Sequence, residues 1–330
     1  MNDYQGKDFA QRIFQVHSPE SFNALCLEIF LFQYQHNAIY RRYCDLIGRK
    51  PDGVLTPAQI PFLPVEFYKT HLITSVTRKE ALVFHSSGTT GDSPSTHPVY
   101  DPALYEQSIL RSFTLFYGAP DNYCFIALVP SPQEKADSSL AYMANLLIKK
   151  SGCANSGFYL GKEQSLKDLN EKNPGKKLFI LGLSFALADL SEQYPGIIHA
   201  DIIMETGGMK GHRKEITREE LHALISHGLG VEQVHSEYSM CELFSQAYSS
   251  SKGVYRCPPW MKVVLRDPYD PLAVLPDLQK GGINIMDLAN IHTCSFIATQ
   301  DLGSLAPDGS FTVLGRFDHS ALRGCSLMLE

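Results

Sequence analysis

The sequence predicts an α/β protein in which helices cover a largely parallel sheet, with a smaller β-rich portion near the C-terminus. Three observations carry that expectation. Short apolar runs bounded by turn residues alternate with segments of helical periodicity, the pattern of strand–helix–strand units. From Trp260 onward the alternation gives way to short strands and turns. The chain's 330 residues, 44% of them apolar, suit one large unit or two ordinary ones. We read one domain in three parts: helical over 1–60, an α/β body over 61–255 and a β-rich part over 256–330.

The elements follow in order. Ser18 can cap a helix whose first residue is Pro19. Phe22, Leu25, Ile29, Phe32, His36, Ile39 and Tyr43 then recur at alternating steps of three and four, one stripe on a core-facing helix. That stripe predicts a buried, satisfied His36. Residues 81–84 read as a strand running into a Ser/Gly/Thr loop, and 124–129 as a second, stopped by Pro130. Strands at 178–181 and 202–204 follow, with a helix over 138–150 between. Thr217 with Glu220 forms a capping box, and its helix is expected to end near Gly228. Short strands are expected at 261–265, 295–298 and 311–314.

Composition narrows the function. Twenty-nine basic against 35 acidic residues give a net charge of −6, which argues against a general nucleic-acid binder. The first residues lack a basic and an apolar region, so no secretory signal is read. No apolar run approaches the roughly 20 residues that cross a bilayer. Eight cysteines without a CxxC pair offer neither a disulfide scaffold nor a zinc site, and no HExxH occurs. The expectation is a cytoplasmic protein with reduced thiols.

Several segments carry chemistry. His85-Ser86-Ser87-Gly88-Thr89-Thr90-Gly91 joins hydroxyls, glycines and free backbone N–H groups directly after a strand, a composition able to wrap phosphate oxygens. It is not a Walker A loop, because no Gly-Lys-Ser/Thr follows; a plain surface turn is the alternative. Gly182-Leu183-Ser184-Phe185-Ala186 nearly matches a nucleophile elbow, with Asp267 or Asp301 and the late His319 available to complete a hydrolase triad. The simpler reading is that Ser184 caps the following helix. Met204-Glu205-Thr206-Gly207-Gly208-Met209-Lys210-Gly211 ends a strand in flexible backbone, where ligands of open α/β sheets bind. Then come Glu237-Tyr238-Ser239-Met240-Cys241-Glu242, Thr299-Gln300-Asp301-Leu302-Gly303, Gly315-Arg316-Phe317-Asp318 and Arg323-Gly324-Cys325.

In this order, from about Pro61-Phe62-Leu63-Pro64 to the end, these motifs resemble the adenylate-forming superfamily of acyl-CoA ligases and luciferase-like enzymes. The branch they resemble is that of the LuxE-type acyl-protein synthetases, related to phenylacetate-CoA ligases. Met204 to Gly211, Asp287-Leu288-Ala289-Asn290 and Arg323-Gly324-Cys325 look specific to that branch. The resemblance implies the superfamily's large-domain fold, without its mobile C-terminal lid. It also implies ATP and Mg²⁺ as cofactors and a carboxylic acid, fatty or aromatic, as substrate.

The resemblance assigns roles. Ser86, Ser87, Gly88, Thr89, Thr90 and Gly91 would hold the β- and γ-phosphates. Gly207 and Gly208 would line the adenine pocket, and Tyr238 would stack on the base. Asp301 would bind the ribose hydroxyls and Arg316 the ribose or α-phosphate side. Glu242 would bind the metal, and Lys210 joins it among the catalytic residues. Cys325 would accept the acyl group as a thioester, its thiolate favoured by Arg323; a small core residue is the alternative there, and Cys241 or Cys294 a different acceptor.

Relatives' association makes an acyl-carrier, reductase or acyltransferase partner part of the expectation. Two departures stand out: no lysine follows the phosphate loop at Asp92-Ser93-Pro94-Ser95, and Ser239 and Cys241 replace the usual glycine and threonine. Two other functions therefore stay open, a Ser184 esterase and a nucleotide- or acyl-binding partner protein without catalysis.

Overall fold

The computed structural model describes residues 4–87, 93–172, 175–209, 213–214, 216–274 and 279–317. The N-terminal part is helical: α1 (Tyr4–Ile13), α2 (Pro19–His36) and α3 (Ala38–Leu46). Two short 3₁₀ turns lead to the two-residue strand β1 (Leu63–Pro64) and the single turn α4 (Phe67–Thr70). Ser18 caps α2 as expected, its hydroxyl accepting from Ser21 N. The stripe does not run through one helix, however. Asn37 breaks it and starts α3, accepting from Tyr40 N at 3.0 Å. This break turns the polar positions around: Gln33 and Asn37 are buried, whereas His36 is exposed and stacks on Phe32 at 4.5 Å.

The body holds β2 (Leu82–His85), β3 (Thr96–Val99), α5 (Pro102–Tyr117), β4 (Tyr123–Leu128), α6 (Ser139–Ser151), β5 (Gly157–Phe158), α7 (Leu169–Lys172), β6 (Lys177–Leu183), α8 (Ser184–Gln193), β7 (Ile202–Thr206), α9 (Arg218–Leu229), β8 (His235–Tyr238) and β9 (Ala247–Ser249). One sheet runs β5-β4-β6-β7-β8-β9, parallel as far as β8. Its central strands are buried on both faces, so they read as near-continuous apolar runs. Phe113 and Tyr117 of α5 pack on Tyr123, Phe125 and Phe179 with ring centroids 5.4–5.9 Å apart. On the other face α8 and α9 approach so closely that a Cβ on Gly228 would lie 2.5 Å from Ser191 O. Only glycine fits there.

The strand expected at 81–84 forms at 82–85, but not in this sheet: β2 pairs antiparallel with β3 as a separate ribbon, Leu82 opposite Val99 and His85 opposite Thr96.

The C-terminal strands β10 (Met261–Arg266), β11 (Lys280–Asp287), β12 (Phe296–Leu305) and β13 (Phe311–Arg316) form a second, antiparallel sheet. β1 joins it, parallel to β12. The N-terminal helices sit on this sheet: Phe30, Tyr40 and Phe62 all pack on Phe296. Among the described residues no helix is long and apolar enough to cross a membrane.

Candidate functional site

Parallel strands β6, β7 and β8 end along one edge of the larger sheet, and β12 and β13 of the smaller sheet meet them there. The contact is made by side chains. The Tyr238 hydroxyl, at the end of β8, donates to Asp301 Oδ2 at 2.7 Å. Arg316 lies opposite Asp301 across β12 and β13, and its Nε donates to Oδ1 at 3.3 Å. Asp301 N donates to Thr299 Oγ1 at 3.1 Å. Behind it, the buried Arg266 guanidinium donates to Thr299 O and to Ile283 O. Sequence reasoning missed Arg266; a cation inside an apolar strand was the available signal.

Tyr238 and Asp301 are buried, and Arg316 is 72% exposed. The carboxylate thus faces an open edge with lone pairs to spare, since two of its roughly four acceptor sites are in use. The Tyr238 ring packs on Tyr255 and edge-on against Phe311, so the contribution visible here is the orientation of Asp301.

One strand over, Gly207 leaves β7 with φ of +72°, a conformation side chains oppose. Its carbonyl accepts from Ser184 Oγ at 3.1 Å, and the same hydroxyl lies 3.1 Å from Glu205 Oε2. Ser184 therefore braces the glycine turn. It does not cap α8, whose cap position is Leu183 without a side-chain bond. Nor do the acids named for a hydrolase face it: Asp301 is bonded to Tyr238 and Arg316, and Asp267 accepts from the backbone of Tyr269 and Asp270.

Glu242 lies in a turn after β8, buried at 4% exposure. Burial pushes its carboxyl above the usual range, opposed by a hydrogen bond from the Ser95 side chain and by the charges of Arg316 and Lys69. Ser95 closes the β2–β3 reversal: Ser86 N donates to Ser95 O at 3.1 Å, and Ser95 N to Ser86 Oγ at 2.9 Å. The base of the expected phosphate loop therefore abuts Glu242. Of that loop, half-buried Ser86 and exposed Ser87 are described; Gly88, Thr89, Thr90 and Gly91 lie outside the described residues, as do Lys210, His319 and Cys325. Gly208 is exposed beside Gly207.

The turn carrying Glu242 is held by residues that sequence reasoning only partly found. Asp287 accepts from Phe244 N, Ser245 N and Ser245 Oγ at 2.6–2.9 Å. Asn290 Nδ2 donates to Glu242 O at 2.7 Å, and His97 Nδ1 to Cys241 O at 2.7 Å. Burial pushes His97 down to about 4; the neutral ring's one N–H is then fixed on Nδ1, because a carbonyl can only accept. Cys241 is a partly buried thiol pushed up by the same cause. Cys294 is buried and likewise pushed up, so neither thiol is activated.

Glu242 suits a hard cation as a buried carboxylate whose charged form a nearby positive charge would favour. Among the described residues no group of three or more His, Cys, Asp or Glu could hold a metal by itself. Magnesium fits this donor set only in company with phosphate oxygens, its usual manner of binding in nucleotide sites.

Residues 15–98 match the family model described as acyl-protein synthetase, LuxE. Among solved structures, an open conformation of 2-hydroxyisobutyryl-CoA ligase with 2-HIB-AMP and CoA superposes with a TM-score of 0.68 at 14% identity, covering 92% of this chain and 77% of that one. ATP-bound MatB from Rhodopseudomonas palustris gives 0.53 at 16% identity, over 73% of this chain and 49% of that one. The amide bond synthetase McbA from Marinactinospora thermotolerans gives 0.52 at 15%, over 75% and 52%. The chain spans about half the length of these last two. A comparison with curated protein sequences finds no match.

The fold is the large-domain fold of adenylate-forming enzymes. Residues 15–98 are in addition similar to the LuxE-type acyl-protein synthetases.

Proposed function

We propose that this chain activates a carboxylic acid with ATP and passes the acyl group to a thiol. The observation that carries the reading is the Tyr238–Asp301–Arg316 junction, an oriented carboxylate beside a permanent cation where two sheets of this fold meet. In this reading Asp301 accepts from the ribose hydroxyls, and the turn at Gly207 and Gly208 offers its backbone to the adenine. Arg316 faces the α-phosphate, and Ser86, Ser87, Gly88, Thr89, Thr90 and Gly91 hold the β- and γ-phosphates. Lys210 is a further catalytic residue of this reading. Glu242 would share Mg²⁺ with the phosphates, and that ion supplies charge neutralisation on the transferring phosphoryl group.

An oxygen of the acid attacks the α-phosphorus. The bond from that phosphorus to the β-phosphate's bridging oxygen breaks, giving acyl-AMP and pyrophosphate. A thiolate then attacks the acyl carbon and AMP leaves; Cys325 is the acceptor proposed here. A carrier protein, reductase or acyltransferase would be the partner that takes the acyl group onward. ATP-bound MatB and the 2-HIB-AMP complex of the CoA ligase, which share the fold, support this reading.

The test is exchange of labelled pyrophosphate into ATP with Mg²⁺ over a panel of fatty and aromatic acids. Exchange with at least one acid is expected, followed by a hydroxylamine-sensitive label that Cys325→Ser removes. ATP binding without exchange for any acid would instead favour a binding protein.

A further inference from the structure

We propose that His97 is a positioning residue for Glu242, and that the segment entering β3, from Ser95 to His97, sets both the side chain and the main chain of that acid. The proposal rests on the reading of Glu242 as the residue that meets the metal–nucleotide. Glu242 stands in a turn, so no ladder of sheet hydrogen bonds fixes it. Its carboxylate is bonded by Ser95, and His97, two residues along the same chain segment, donates to the carbonyl just before it at 2.7 Å. Asn290 donates to the carbonyl of Glu242 itself. Three bonds, two of them from residues 95 and 97, thus define where this acid points.

His97 is itself held on every side. It is fully buried, and its unprotonated Nε2 can accept from the Thr293 hydroxyl at 3.0 Å, with Asn290 Oδ1, itself an acceptor, 3.1 Å away. The carbonyl of Thr293 accepts from Asn37 Nδ2 and from Ser75 Oγ. Gln33 completes the frame from α2: its amide donates to Asn290 O, Ile291 O and Ser295 Oγ, and its oxygen accepts from Ser295 N. Four of these residues, Gln33, Asn37, Ser75 and His97, fall inside the segment 15–98 that matches the family model. A buried network with this many made bonds holds one geometry. Around a site where displacement by an ångström costs heavily, that is a functional role.

The test separates His97's two nitrogens. His97→Asn keeps a donor near Nδ1 and hence the bond to Cys241 O; His97→Gln keeps a group near Nε2 and loses that bond. Binding of Mn²⁺·ATP, by paramagnetic resonance and calorimetry, is compared with binding of ATP in EDTA. His97→Gln is expected to weaken Mn²⁺·ATP about tenfold, the lower end for residues that orient a metal ligand, and to leave metal-free ATP unchanged. His97→Asn should stay within about twofold of wild type. In a Glu242→Gln background His97→Gln should add nothing, since it acts through that acid. Equal effects of the two variants, equal weakening of metal-free ATP, or a full effect in the Glu242→Gln background would each overturn the proposal alone. Glu242→Gln binding Mn²⁺·ATP like wild type would sink the reading beneath it, and the proposal with it.

Discussion

At the end of the site proposed for the nucleoside, Asp301 stands on a ten-residue strand and is aimed by direct side-chain bonds from Tyr238 and Arg316. At the end proposed for the phosphates, Glu242 stands in a turn and is held mostly through its backbone, by His97 and Asn290. The first arrangement borrows rigidity from sheet pairing and keeps an exposed cation at its rim. The second builds rigidity from buried polar groups drawn from residues 33, 37, 97 and 290. The difference teaches where each end should break: the nucleoside end by losing a ligand contact, the phosphate end by losing geometry.

The largest effect is expected at the phosphate end. Glu242→Gln should slow pyrophosphate exchange by about a hundredfold or more, the scale for losing a group that meets developing charge, while metal-free ATP binds normally. Single-turnover kinetics with a saturating acid would measure it. A variant that lost ATP affinity and kept its rate would merge the two ends into one.

A smaller effect sharpens the comparison through pH. Glu237, beside Tyr238, is buried with Oε1 unpartnered, and burial pushes its carboxyl up. A group whose native value is raised stabilises fully below the ordinary carboxyl value of 4.5 and loses that contribution as pH rises through the native value. Glu237→Gln should therefore melt above wild type at pH 8, with the gap closing near pH 4, by differential scanning calorimetry. A gap that widened toward acid would reverse the assignment.

The smallest effect belongs to Arg316. Exposed by 72%, it is screened by solvent. Arg316→Gln should weaken ATP only a few-fold at low salt, and less at high salt. Calorimetric titrations at two ionic strengths would show it, and a salt-independent loss would indicate a dehydrated contact instead.

The residues that meet at the proposed nucleoside end were legible in the sequence, because they lie in contiguous motifs on strands. Tyr238, Asp301 and Arg316 could be named there, but not the bond between the first two, which joins residues 63 apart in different sheets. The proposed phosphate end was less legible. Asn290 was named within a motif without a role, and His97 not at all, since it donates to a main-chain carbonyl 144 residues away and its side-chain neighbours Asn290 and Thr293 lie 193 and 196 residues off. Gln33 and Asn37 left a readable trace, two amides four residues apart inside an apolar helix. The regular stripe drew attention to His36 instead, and a break at Asn37 carried that residue to the surface. Periodicity likewise found the strand before the phosphate loop but could not say that it pairs with its own return.

The central claim is that Asp301 holds the nucleoside at the junction of the two sheets. Calorimetric binding of AMP and ATP, both in EDTA, to wild type and Asp301→Ala tests it most directly. The account predicts a loss of about tenfold or more, the same for both nucleotides, as for losing hydrogen bonds to a charged group. AMP and ATP bound as tightly by Asp301→Ala as by wild type would contradict it.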